Sequence, residues 1–180
     1  YFWGKGNAIR VASTTVMVLE TDAGISGCGE SCPIGGNYLA AYPEGVIPAL
    51  ARLAPAVIGQ DPRHVHRIER LMDEALKGHP YAKSALDAAC WDILGQDCGQ
   101  PVSVLLGGVL TDGGSMYRVV PQKSLDEANR EMAEHRAAGY RQFQIKVGND
   151  WKGDIDRIHA AAAILNPGES AFADANRGWT

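Results

Sequence analysis

The chain has no apolar run near the ~20 residues that a membrane-spanning helix needs, so no membrane partner is expected. It has no basic stripe either. The 180 residues carry a net charge of −4, which argues against nucleic acid as a partner. Cysteine is scarce. Cys28 and Cys32 lie in a glycine-rich loop, Cys90 and Cys98 in a helical pattern, and neither spacing makes a zinc knuckle or a CxxC redox pair. The expectation for these thiols is small buried side chains in a reducing cytoplasm. A glycine-rich phosphate loop is missing too, because Gly148-Asn-Asp150 is too short for one. His64 and His66 flank Val65 and so do not share a helix face, which points to surface or helix-entry residues rather than metal ligands. No signal peptide is visible, and the chain opens at Tyr1 rather than at methionine, so we read its beginning as missing.

What is present suits a globular protein with a real core: 46% hydrophobic residues against 21% charged. Tyr1 to Asn7 is aromatic and glycine-rich, and reads as a loop offering side chains to a ligand or as a frayed terminus. Ser13–Glu20 and Ile25–Glu30 flank Thr21-Asp-Ala-Gly24 and predict a hairpin. Ser31 to Gly45 is a long loop, the kind that carries function in a compact domain. Helices are predicted over Val46–Val57, His64–Leu76 and Tyr81–Gln96, and the many alanines of the last imply close packing. Thr111-Asp-Gly-Gly114 reads as a boundary, giving domains at 1–112 and 113–180. Beyond it, strand and helix alternate. The strand Ser115–Pro121 precedes a helix over Ser124–Ala138, with Ser124 and Glu127 at capping-box spacing and Gly139 at its end.

Two stretches in this second part concentrate the chemistry. Tyr140–Gly148 reads as a strand with Gln142, Gln144 and Lys146 on one face and Phe143, Ile145 and Val147 on the other. Ser170–Gly178 reads as a second strand ending with Asp174 and Asn176 on one face. The helix between them, about Asp150 to Leu165, makes a parallel crossover, and in such units chemistry gathers at the C-terminal strand ends. An amine and a carboxylate there suit proton abstraction beside a bound cation.

In their order, Gly27-Cys-Gly-Glu30, Ala82-Lys-Ser-Ala-Leu-Asp-Ala-Ala-Cys-Trp-Asp92, Leu105-Leu-Gly-Gly108, Gln144-Ile-Lys146 and Asp174-Ala-Asn176 resemble the mandelate racemase and muconate-lactonising branch of the enolase superfamily. The resemblance covers almost the whole chain. It implies an α+β capping domain, here lacking its first strand, followed by a (β/α)8 TIM-type barrel of which about three β/α units are present. Ser115 to Thr180 falls far short of the about 250 residues of a complete barrel, so we read the chain as truncated and inactive alone. The resemblance further implies Mg2+-dependent removal of the proton α to a carboxylate, through an enediolate, giving dehydration or racemisation and epimerisation of a small-molecule acid. Lys146 takes the part of the base and Asp174 that of the first Mg2+ ligand, with Asn176 as its support. The other two carboxylates and a second base are expected beyond Thr180. Trp3, Cys32, Asn37 and Tyr38 fall in the regions that set specificity, and the full-length protein is expected to be a cytoplasmic homo-oligomer.

One position departs from the family pattern. The first lysine of the expected Lys-x-Lys is Gln144, which removes a positive charge beside the base. A substrate with a fixed positive charge tolerates an amide better than a second lysine. Gly35-Gly-Asn-Tyr38 and Gly78-His-Pro-Tyr-Ala-Lys83 are also similar to members acting on hydroxyproline and proline betaines, so a proline derivative is the expected substrate. The alternatives are a non-catalytic fragment or another family reaction: dipeptide epimerisation, muconate cycloisomerisation or sugar-acid dehydration.

Overall fold

The computed structural model describes residues 2–3 and 7–8 by their backbone, and residues 11–36, 38–122 and 124–179 in full. Two units emerge, Val11–Leu110 and Thr111–Thr180, the latter together with Tyr1–Arg10. At the N-terminus, β1 (Phe2–Trp3) pairs antiparallel with β2 (Asn7–Ala8), so the expected aromatic loop contains a short hairpin.

In Val11–Leu110 the sheet is a hairpin of β3 (Thr15–Glu20) and β4 (Ser26–Ser31), in register from Thr15 opposite Ser31 to Glu20 opposite Ser26. Gly24, at φ 78°, supplies the left-handed residue of the turn. Four helices follow: α1 (Val46–Val57), α2 (Val65–Ala75), α3 (Pro80–Cys98) and the single turn α4 (Val102–Leu105). The core joins Leu53, Val65, Ile68, Met72, Leu86 and Cys90, with Met17 and Leu19 of the hairpin packed against it.

The alanines of α3 pack against a strand rather than against another helix alone. Ala82, Ala85 and Ala89 are fully buried, and Gly27 and Gly29 of β4 lie directly on the α3 backbone. A Cβ at Gly29 would run into the carbonyl oxygen of Ala85, and one at Gly27 into that of Ala89. Polar side chains complete the contact. The Cys28 N–H donates to Asp92 Oδ2 (2.9 Å), Gln96 Nε2 donates to the Ser26 carbonyl (2.8 Å), and Ser31 Oγ donates to the Tyr81 carbonyl (2.5 Å). At Ser26 and Cys28 the backbone of β4 is thereby satisfied by α3 side chains rather than by another strand.

The cysteine expectation needs correcting. Cys90 is buried, and burial pushes its thiol up to about 12, but Cys28, Cys32 and Cys98 are exposed. Cys28 alternates with Gly27 and Gly29 along β4, so the face that meets α3 belongs to the glycines and the thiol points outward. His64 and His66 are exposed, as expected, with side chains 66% and 94% accessible.

The second unit is a parallel sheet in the order β5 (Tyr117–Val120), β6 (Gln142–Lys146), β7 (Ser170–Asp174). α5 (Leu125–Ala137) and α6 (Trp151–Ala163) make the crossovers. The start of α5 is written locally: Ser124 and Glu127 form the full capping box. Gly139, at φ 93°, ends that helical segment. Ala128, Met132, Phe143, Ile145, Val147 and Ala161 bury the helix-facing side of the sheet, so the other side is left to the polar residues of β6.

Arg136 at the end of α5 ties this layer together. Its Nε and Nη2 grip both oxygens of Glu169 (2.8 and 2.9 Å), and Nη2 also reaches the Ile164 carbonyl (2.7 Å). The Arg136 hydrogen bonds hold the Glu169 carboxyl down from 4.5 to about 2. A depressed carboxylate contributes its stability above the unfolded value and loses it as pH falls through the folded one. Acid unfolding is therefore expected to draw on this pair between about pH 4.5 and about 2. Glu169→Gln should flatten the stability curve in that window and lower stability at neutral pH. Circular dichroism across a pH series measures both, and an unchanged curve would dismiss the role.

Candidate active site

β6 is hydrogen-bonded on both sides, to β5 and to β7, and its side chains from Phe143 to Lys146 are buried. Lys146, at its C-terminal end, is only 2% exposed. In the parallel ladder Lys146 pairs with Asp174, and paired residues point to the same face. Lys146 Nζ donates to Asp174 Oδ2 and to Asn176 Oδ1, each at 2.6 Å. Burial acts to raise the Asp174 pKa. The hydrogen bonds from Lys146 and from the Asn176 N–H outweigh it, so the carboxyl lies below its ordinary value. The Asp174 side chain stays 27% exposed, so the carboxylate remains reachable from solvent.

The expected longer strand ending in Asn176 is not formed. β7 stops at Asp174, and Asn176 (φ 44°) and Arg177 (φ 61°) take left-handed conformations in the turn beyond it. Asp174 Oδ1 accepts the Asn176 N–H (2.9 Å), an Asx turn that bends the chain back and brings the Asn176 amide to Lys146. Asn176 thus reaches the amine from a turn and not from a shared strand face.

Gln144 precedes Lys146 by one rung on the same face and is 9% exposed, with Val119 and Phe172 as its ladder partners. The rings of Tyr117 and Phe172 meet edge-on at 5.1 Å on this face, both still partly open to solvent. Sequence reasoning passed over these two aromatics, although period-two alternation from Gln144 and Lys146 places Tyr117 and Phe172 there once the register is known.

It also passed over Asp154. This carboxylate is 1% exposed, and its Oδ2 accepts from the Gly148 N–H (2.7 Å), the Asn149 N–H (3.1 Å) and Trp179 Nε1 (3.0 Å). A signal existed: Asp154, Ile158, Ala161 and Leu165 repeat at helical spacing, so an acid heads an otherwise apolar stripe. The remaining expected residues lie elsewhere. Cys32 is exposed and Tyr38 half-buried on the loop after β4, in the other unit. Asn37 lies outside the described residues, as does the side chain of Trp3.

The profile of the mandelate racemase / muconate lactonizing enzyme N-terminal domain matches residues 7–107. The chain belongs to this family. Over its full length it is 46% identical to a cis-3-hydroxy-L-proline dehydratase from Roseibium aggregatum, of which it covers 49%. Other curated relatives are racemases, epimerases and cycloisomerases. Among solved structures, a family member from Roseovarius nubinhibens ISM is 60% identical, with TM-score 0.91 over 100% of this chain and 48% of that one. A second from the same organism, complexed with magnesium, is 39% identical, with TM-score 0.86 over 93% of this chain and 47% of that one. The chain spans about half the length of the curated relatives it matches. Its first helical unit is the family's N-terminal capping domain, and the three parallel strands begin a barrel. No helix among the described residues is long and apolar enough to cross a membrane.

Proposed function

We propose that the full-length protein removes the proton α to the carboxylate of a proline derivative, with Lys146 as the base. The observation that carries this reading is the meeting of Lys146 Nζ with Asp174 Oδ2 and Asn176 Oδ1 at adjoining strand ends. A strand-end amine that is buried, and placed by two oxygens, is held where a single orientation toward substrate is possible. To act as base the amine must be neutral and free of the carboxylate. A cation held by Asp174 would compete for the same oxygen.

The donor set fits Mg2+. A carboxylate and a nearby amide oxygen are hard donors, and the described bonds use one site on each Asp174 oxygen, leaving others for a metal. Among the described residues no group of three or more His, Cys, Asp or Glu side chains is gathered to hold an ion. Further oxygen ligands are therefore assigned to the rest of the full-length protein. Bound at Asp174, magnesium would supply positive charge where negative charge grows on the substrate carboxylate. Within this chain, Lys146 takes the proton, Asn176 steadies the amine, and Gln144 presents a neutral amide.

That neutral amide and the 46% identity to a cis-3-hydroxy-L-proline dehydratase support a cyclic amino acid bearing its own positive charge. The test is to assay the full-length protein with Mg2+ against cis-3-hydroxy-L-proline and proline betaines. Turnover that disappears on chelation and returns with Mg2+ is expected. Activity confined to dipeptides or sugar acids would reject the substrate class, and undiminished activity in chelator would reject the metal.

A further inference from the structure

We infer that Asp154 is a positioning residue that steadies the geometry between the base and the metal carboxylate by tying together the two loops that follow them, an inference that rests on the roles proposed for Lys146 and Asp174. A buried carboxylate is costly to desolvate and persists where its hydrogen bonds repay that cost. Asp154 sits in the first turn of α6, and its oxygen turns back toward the end of β6 rather than out to solvent. The Gly148 and Asn149 N–H groups it accepts belong to the loop that begins right after Lys146. The Trp179 indole it also accepts belongs to the segment that follows Asp174 and Asn176.

The two segments also touch each other. Gly148, at φ 106°, stands against the Ala175 carbonyl, and a Cβ at Gly178 would strike the Gly148 carbonyl. The Gly178 N–H closes a turn on the Ala175 carbonyl (2.6 Å). Two backbones therefore cross with no side chain between them, and a single buried oxygen holds both sides of the crossing. The first loop is seated at its start by Val147, which is buried in the core and donates its N–H to the Asp174 carbonyl (3.0 Å), and Asp154 holds the chain beyond it. The ladder sets Lys146 opposite Asp174, and if Asp154 releases the loops, the 2.6 Å contact between Nζ and Oδ2 loses its support from beyond the strand ends.

The full-length protein tests this with Asp154→Asn, which keeps size and an acceptor oxygen but removes the charge, and Trp179→Phe, which removes one donor and leaves the carboxylate in place. Three quantities are read at a temperature where every protein is folded: the Mg2+ dissociation constant without substrate, amide exchange across 147–149 and 175–179, and kcat against KM. Asp154→Asn is expected to weaken Mg2+ binding and lower kcat by about 10- to 100-fold with KM little changed, the range for residues that orient metal ligands. Exchange should accelerate in both segments. Trp179→Phe should move the same quantities the same way by less. A folded Asp154→Asn protein with a lowered melting temperature but Mg2+ affinity and kcat within about twofold of wild type would overturn the inference and leave a merely structural role. If Asp154→Asn does not fold, Trp179→Phe decides, and unchanged values there overturn it. If the wild type binds Mg2+ yet turns over no proline derivative, the substrate reading falls, while the affinity and exchange comparisons still judge Asp154.

Discussion

Replacing Lys146 with methionine in the full-length protein is expected to lower kcat by about 10³-fold, the middle of the range for a general base. Methionine is unbranched and fills the channel occupied by the lysine stem, so the enclosed site stays packed. It leaves Asp174 and Asn176 without their shared donor. Asp174 is partly exposed and water replaces that donor at modest cost. The competing account makes Lys146–Asp174 a structural ion pair only. On that account the variant loses stability but, once folded, keeps its turnover. Melting temperature and kcat measured on one preparation separate the two: a stable protein without activity supports the base, and a destabilised protein with wild-type kcat rejects it. Lys146→Arg sharpens the test, because arginine preserves the charge but stays protonated and cannot take a proton.

The second large effect belongs to the capping domain. Gly29→Ala is expected to cost about 3 kcal/mol or more, the upper end of overpacking, because the new Cβ meets a carbonyl oxygen of α3 and not a movable side chain. Relief requires α3 to lift from β4, which also strains the Cys28–Asp92 and Ser31–Tyr81 hydrogen bonds on either side. For a unit of this size the cap's melting transition should fall by more than about 10 °C. Gly114→Ala is the control. A Cβ there meets nothing and the residue has no special φ, so its effect should stay within about 0.5 kcal/mol. Thermal unfolding of the two variants side by side measures the contrast, and equal stabilities would refute the close approach.

How much of this was legible depends on whether the signal was local. α1 runs over Val46–Val57 as its apolar spacing indicates, and α5 begins where Ser124 and Glu127 can cap each other. Both are decided within a few residues, so neighbouring sequence suffices. Strand ends were less legible. Ser170–Gly178 looked like one strand, yet pairing stops at Asp174 because an Asx turn diverts the chain, and pairing is a property of two segments. Burial of the cysteines was misjudged for the same kind of reason: Cys28 faces outward because its glycine neighbours take the helix contact.

By itself the sequence determined the order of elements, the family pattern, the polar face of β6 and the residue types that could serve as base and metal ligand. Those follow from side-chain chemistry and from periods of two and 3.6 along one chain. Tertiary structure alone decided that Lys146 is enclosed, that Asn176 reaches it from a turn, and that Asp154 joins the loops behind them. Apart from the short Asp154–Gly148 bond, these contacts join residues 25 to 30 positions apart, and no local preference specifies the distance at which two such groups come to rest.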